Sequence, residues 1–409
     1  MPQRHPPFSE KSTDFIGGLT RQVREYLLNL DRIEAEALLG ELRQRVEKES
    51  VALATVQSTH AQLLQRVAVS TDYQELAGIH RQLNELEMAR FEAVPSVPAL
   101  HHACTRYRNL LADRTMALVE ADMVACGAGP APLPYALLSM GSDGRYEQTL
   151  ITDQDYLLVY ADGGAAGVDS YFATFSAQLV DRLAEVGFKK CTGEIMPSNP
   201  TWRGSLRQWK RRILAIVCYE YDEYAKNLMD LIVLSDARFV AGEKPLAEAL
   251  IVVIRDFERS YFQVIYGMAK AATEMKVGLR WFGRLWTEKS GAHQGEMNIK
   301  LLGWAALVMN VRILAVNHNI VETSTLQRID QLELARSFSA EFASGLRSAY
   351  LLLTRLRIQL QIRELRGLQE DSYYLHPQTL SLREQEELRQ ALRQIEELQK
   401  IIHTNFTIV

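Results

Sequence analysis

Asp153 and Asp155 stand one residue apart at the start of the apolar run "DYLLVYAD", inside the stretch "SMGSDGRYEQTLITDQDYLLVY" from Ser139 to Tyr160. In a β-strand residues i and i+2 share a face, so the spacing predicts two carboxylates side by side, roughly 7 Å apart by strand rise. Paired carboxylates suit hard divalent cations, and two such ions can clamp the attacking and leaving oxygens of a phosphoryl transfer. By itself a D-x-D pair is common at solvated strand ends, and its neighbours decide the reading.

Those neighbours point to an anion. Gly141 and Ser142 follow the apolar run "YALLSM", where a strand is expected to turn into a helix whose free amides attract negative charge. Gly141 lets the backbone come close to a phosphate, Ser142 adds a hydroxyl donor, and Arg145 one turn later brings a positive charge. Taken singly these are a turn glycine, an N-cap serine and a solvated arginine; together they make a phosphate cradle. A third carboxylate from a nearby strand would complete a metal site and accept a proton, and "NLMDLIVLSDARFVAG" offers Asp230 and Asp236. Being six apart, both can face one side of a strand.

Other groups carry less. Arg203, Arg207, Lys210, Arg211 and Arg212 cluster in "NPTWRGSLRQWKRR", with Arg211 and Arg212 reading as a solvated helix face. Arg203, in a Pro/Gly-bounded loop beside Trp202, is the member suited to a triphosphate or base. Lys300, inside an otherwise apolar helix, needs a partner and is a second candidate for the nucleotide. Trp281, Trp286 and Trp304 read as packing. No Walker-type phosphate loop occurs, and no pair of histidines has ligand spacing.

The elements that must position these groups fall into three regions. A helical region, residues 1–128, shows leucines and alanines at three- and four-residue spacing in "TRQVREYLLNLDRIEAEALLGELRQRVEKES", "YQELAGIHRQLNELEMARFEAV" and "LHHACTRYRNLLADRTMALVEADMVA", interrupted at Pro95 and Pro98. Residues 129–245 follow a Gly/Pro-rich linker and read as a small α/β unit: the strand "DYLLVYAD", the amphipathic helix "SYFATFSAQLVDRLAEVGF", and a further strand over "NLMDLIVLSDARFVAG". Residues 246–409 turn helical again. The fold expected is α+β, a small mixed sheet between two all-helical regions.

Composition bounds the partners. The 409 residues carry a formal charge of −4, are 47% hydrophobic and 23% charged, and read as a folded protein of more than one domain without general attraction to nucleic acid. Cys104, Cys126, Cys191 and Cys218 lie far apart, as reduced thiols of a cytoplasmic protein do. The N-terminus lacks the apolar segment of a signal peptide, and "LLGWAALVMNVRILAV" is too short and too interrupted to span a bilayer, so no membrane association is expected.

The Gly-Ser pair, the D-x-D and a later acidic residue together resemble the nucleotidyltransferase fold of the DNA polymerase beta superfamily. More closely, "GSDGRYEQTLITDQDYLLVY", "GEIMPSNPTWRGSLRQW" and "LSDARFVAGEKPL" resemble bacterial nucleotidyltransferase-like proteins related to PII-protein uridylyltransferase and glutamine-synthetase adenylyltransferase. "GLRWFGRL", "MNIKLLGWAALVMNVRILAV", "STLQRID", "RLRIQLQ" and "LRQALRQIEELQKIIHTNF" resemble the helical substrate-binding domain that comes next in that family. The resemblance implies transfer of UMP or AMP from a nucleoside triphosphate to a hydroxyl acceptor, such as a protein side chain, with release of pyrophosphate. It implies two Mg²⁺ ions on Asp153, Asp155 and Asp236, and it selects Asp236 over Asp230 as the third carboxylate. The chain departs from the family pattern at Tyr156, where asparagine is usual, and at Asn298, where aspartate is usual. A nucleotide-sensing or interaction module that keeps the pocket without turnover is the alternative, and the retention of all three carboxylates weighs against it.

Overall fold

The computed structural model describes residues 56–408, except 165, 219–223 and 281–282, together with residue 40. Two units are distinguished, Met1–Gln62 and Leu63–Val409. The described residues of the first are helical; the helical expectation for residues 13–55 otherwise lies outside the described residues. The second unit, which carries every candidate site residue, is mostly helical with a small mixed sheet.

Two long helices open it. In α1 (Tyr73–Ala93) the Asp72 side chain caps the first turn by accepting from the amides of Gln74 and Glu75. Pro95 and Pro98 part α1 from α2 (Val97–Ala125), and Pro98 lies within the first turn of α2, where its missing N–H costs no helical bond. Arg108, fully buried in the middle of α2, reaches out to the carbonyls of Thr149 and Leu150 and to Gln148 and Asn84. In this way the helix holds the loop that leads to Asp153.

The central sheet runs in the order β5-β3-β1-β6. β1 (Tyr135–Ser139) and β3 (Tyr156–Tyr160) are antiparallel, with Tyr135 opposite Tyr160 and Ser139 opposite Tyr156. β5 (Arg203–Ser205) joins β3 in parallel, and β6 (Arg238–Gly242) joins β1 in antiparallel with an irregularity between Leu137 and Leu138. Every residue of β1 and β3 is buried, so both faces are covered, as continuous apolar runs require. One cover is α4 (Val168–Val186), whose Phe172 and Phe175 pack against Tyr135. β2 (Asp153–Gln154) pairs in parallel with β4 (Lys189–Lys190) in a separate two-stranded ladder.

Two expectations are corrected here. The stretch 227–242 is not one strand: α6 (Tyr224–Leu234) runs through most of it, a turn holds Asp236, and only Arg238–Gly242 is strand. Leu228, Leu231 and Ile232 are buried at three- and four-residue spacing, the helical period inside a run too uniformly apolar to show it. The helix expected after β1 is α3 (Gly141–Gly144), a single turn and too short to build a dipole.

The rest is helical. α5 (Leu206–Val217) begins with a reciprocal capping box between Ser205 and Gln208, and α7 (Lys244–Ser260) packs behind the sheet. α8 (Phe262–Thr273), α9 (Ala305–Asn317), α10 (Thr325–Leu334), α11 (Ala340–Leu365) and α12 (Leu382–Phe406) form a bundle around α9 and α11. Among the described residues only the helical stretch Lys300–Asn317 is long and apolar enough to cross a membrane, and two thirds of it, 67%, is buried inside the protein. A π-helical turn, Lys300–Trp304, leads into α9. β7 (Met297–Asn298) pairs with β8 (Tyr374–Leu375) beside it.

Candidate functional site

Asp153 opens β2, and Asp155 falls at the break between β2 and β3, so the two do not share one continuous strand. The break is held from the other side: the Met140 amide donates to the Asp155 carbonyl over 2.8 Å, which brings Gly141 beneath the Asp155 side chain. Gly141 has φ +57°, and a Cβ added there would lie 2.5 Å from Asp155 Oδ2. Only glycine accepts both the left-handed backbone and the carboxylate resting on it. Burial pushes the Asp155 carboxyl up to about 6, with the Cys191 thiol donating to it and lowering it, and the Asp153 charge raising it. The Cys191 thiol is in turn pushed up to about 12 by burial and by Asp155.

A cavity of about 490 Å³ gathers Gly141, Ser142, Arg145, Asp153, Asp155 and Lys300 on its walls. It brings together six of the eight residues singled out in the sequence. Asp236 and Arg203 are not among its lining residues. Arg203 instead donates from Nη1 to the carbonyls of Pro197 (3.0 Å) and Ser198 (2.6 Å), closing its own loop at the sheet edge.

Asp236 is fully buried and saturated by arginines. Its Oδ2 accepts from Arg145 Nη1 at 2.6 Å and from Arg312 Nη2, and its Oδ1 accepts from Arg328 Nη1 at 2.8 Å and Arg312 Nε at 3.1 Å. Burial alone would raise this carboxyl, but Arg312, Arg145 and Arg328 outweigh it and hold it down to about 2. A carboxylate with four guanidinium donors has no lone pair to offer a cation and no tendency to take a proton. The structure thus places the expected third ligand apart from Asp153 and Asp155: Asp236 ties the sheet to α9 and α10. Asp230 stands on α6 rather than on a strand.

Arg145 serves the same network, with Nε 2.8 Å from Glu147 Oε2, whose other oxygen accepts from the Thr325 amide. Its charge is used inside the protein, and in the cavity it forms part of the wall with Ser142.

Of the three carboxylates expected to hold a cation, Asp153 and Asp155 line the cavity. Among the described residues no group of three or more His, Cys, Asp or Glu side chains could hold a metal. Asp153 and Asp155 nevertheless fit Mg²⁺, which takes one or two carboxylates and fills its shell from phosphate and water rather than from an all-protein cage. Asp155, seated on Gly141 against the cavity, is placed for that arrangement.

The rest of the lining comes in large part from the helical bundle. Arg357 on α11 has its guanidinium carbon 4.1 Å from the centre of the Trp304 ring, and Lys300 has Nζ 4.0 Å from that of Tyr373. Trp304 is buried, with its indole N–H on Thr354 Oγ1, in keeping with a packing role; Trp281 lies outside the described residues. Met275, Ala305, Val308 and Met309 give the cavity an apolar section. Arg357 escaped the sequence reading because "RLRIQLQ" looks like helix packing; an arginine within a buried helical face was the available signal.

The two departures from the family pattern lie off this cavity. Tyr156 is buried in β3 towards Asp143. Asn298 Oδ1 accepts from the Leu301 amide at 2.9 Å, a capping bond an aspartate would make equally well.

Residues 81–223 match the family model described as "Putative nucleotidyltransferase DUF294", and residues 262–406 match that described as "Putative nucleotidyltransferase substrate binding domain". No curated protein matches the chain. The first match includes β1 to α5 with the Gly-Ser turn, Asp153 and Asp155, the second spans the bundle that supplies further lining of the cavity, and the chain belongs to the nucleotidyltransferase family that these two models describe.

Proposed function

We propose that this protein transfers a nucleoside monophosphate from a nucleoside triphosphate to a hydroxyl acceptor, releasing pyrophosphate. One observation carries the reading: Asp155 rests on Gly141 beside Ser142, with Asp153 on the same cavity wall, in a chain of nucleotidyltransferase family. The acceptor oxygen attacks the α-phosphorus, the bond from that phosphorus to the bridging oxygen breaks, and the electron pair leaves with pyrophosphate. The hydroxyl proton passes to a carboxylate of the Asp153–Asp155 pair. Asp153 and Asp155 would hold Mg²⁺, which would supply charge neutralisation. Ser142 donates to a phosphate oxygen, and the apolar section around Met275 and Met309 takes the base. The family resemblance makes UTP or ATP the donor and a protein side chain the acceptor.

A second reading, a nucleotide sensor without turnover, is favoured by one fact: of the three carboxylates that the resemblance implies, only Asp153 and Asp155 line the cavity. Incubation with each α-labelled ribonucleoside triphosphate, Mg²⁺ and an extract of acceptor proteins decides between the two. Label transferred by the wild type and lost in Asp153→Asn and Asp155→Asn supports transfer. Metal-dependent nucleotide binding without any transfer would favour the sensor.

A further inference from the structure

The arginines around the cavity divide by what they hold. Arg145, Arg312 and Arg328 spend their charge on Asp236 and Glu147. Arg357 is only 9% exposed, yet it makes no hydrogen bond or ion pair among the described residues. Lys300, half-buried on the same wall, likewise has an aromatic ring and no carboxylate.

A buried guanidinium without an anion is costly, because the ring behind it replaces only part of the lost hydration. Burial accordingly pulls Arg357 down to about 10. No carboxylate bonds to it: Glu147, whose charge favours the guanidinium, already accepts from Arg145, and the three network arginines exceed Asp236 and Glu147 by one. Glu258, a further carboxyl near that network, is pushed up to about 8 by burial, which favours its neutral form.

The backbone reinforces the arrangement. Lys300 and Trp304 are the first and last residues of the π-helical turn, and both line the cavity. Such turns are rare and recur at functional sites. Trp304 packs against Arg357, Tyr373 sits against Lys300, and Asp153 and Asp155 line the same cavity.

We propose that Arg357 and Lys300 are the phosphate-binding residues of this cavity, receiving the polyphosphate of the nucleoside triphosphate, so that the C-terminal helical bundle holds the donor nucleotide. The planar guanidinium matches two phosphate oxygens at once, and the lysine adds a compact charge. The proposal deepens the nucleotidyl-transfer reading and rests on it for the identity of the anion.

The test is isothermal titration of the full chain with sodium tripolyphosphate without metal, and with non-hydrolysable ATP and UTP with Mg²⁺. Arg357→Gln and Lys300→Gln are each expected to weaken tripolyphosphate binding about tenfold or more, as loss of a charged hydrogen bond does, with thermal unfolding of the anion-free protein unchanged. Arg357→Lys is expected to restore part of the affinity, and Asp153→Asn not to weaken it. Tripolyphosphate binding to Arg357→Gln and Lys300→Gln as tight as to the wild type, or no binding to the wild type, overturns the proposal. If Arg357→Gln fails to fold, half-buried Lys300→Gln decides alone. Anion binding lost in these variants while the wild type transfers no nucleotide would leave the phosphate site standing and sink nucleotidyl transfer. Transfer by a wild type whose variants bind tripolyphosphate undiminished would do the reverse.

Discussion

Asp236 and Arg145, 91 residues apart, meet over 2.6 Å in the interior, both almost wholly shielded from water. Their contact closes a network in which Arg312 and Arg328 also reach Asp236. It fixes Arg145 as wall rather than ligand, whereas Arg357 and Lys300 line the cavity without a carboxylate partner.

Removing Asp236 should therefore unfold the protein before it inactivates it. Asp236→Asn leaves three buried guanidinium groups under-compensated, and a loss of about 3–5 kcal/mol is expected by urea denaturation. The wild type carries a matching acid signature: the folded carboxyl lies near 2 against 3.8 unfolded, so its stabilisation is present above 3.8 and lost as pH falls through about 2. A variant as stable as the wild type would contradict the network.

Glu258 acts in the other direction. Burial raises its carboxyl from 4.5 to about 8, with Arg328 lowering it and Asp236 raising it. The folded state thus prefers the protonated form; that stability is complete below 4.5 and declines as pH rises through about 8. Glu258→Gln should gain on the wild type over this window, by at most about 1.4 kcal/mol per pH unit, read from paired melts at about pH 5, 7 and 9. Parallel curves for the two proteins would refute it.

Asp153→Asn and Asp155→Asn should each lower nucleotide transfer by about 10²-fold or more, because neutralising phosphoryl charge is worth several kcal/mol. Neither should lower the melting temperature, since Asp155 is already disfavoured in its charged form by burial and by Asp153. Loss of activity together with loss of fold would make the pair structural.

Gly141→Ala separates backbone from charge. The new methyl group meets Asp155 Oδ2 and must adopt φ +57°, which costs about 1–2 kcal/mol before the carboxylate moves. A lower melting temperature and a transfer rate approaching that of Asp155→Asn are expected. Full activity would show that Asp155 need not lie on the glycine.

The local code carried a large part of this protein. "DYLLVYAD" reads as a buried strand because its central side chains are all apolar or aromatic, and β3 is one; "SYFATFSAQLVDRLAEVGF" shows its period and forms α4. The Gly-Ser turn and D-x-D mark the cavity because glycine and paired carboxylates carry their chemistry within a short span of chain. Over 224–234 the signal failed: a uniformly apolar run buries equally well as helix or strand, and packing against α5 and α8 chose helix.

Sequence alone determined the family and marked Gly141, Asp153 and Asp155, since these depend on neighbours close along the chain. Tertiary structure alone decided what the charges do. The partners of Asp236 stand 76 to 92 residues away, and whether an arginine meets a carboxylate or faces the cavity depends on which helices are brought together. Periodicity reaches four residues along a helix and two along a strand, whereas a charge buried in a low dielectric is settled by groups distant in sequence and within hydrogen-bond reach in space.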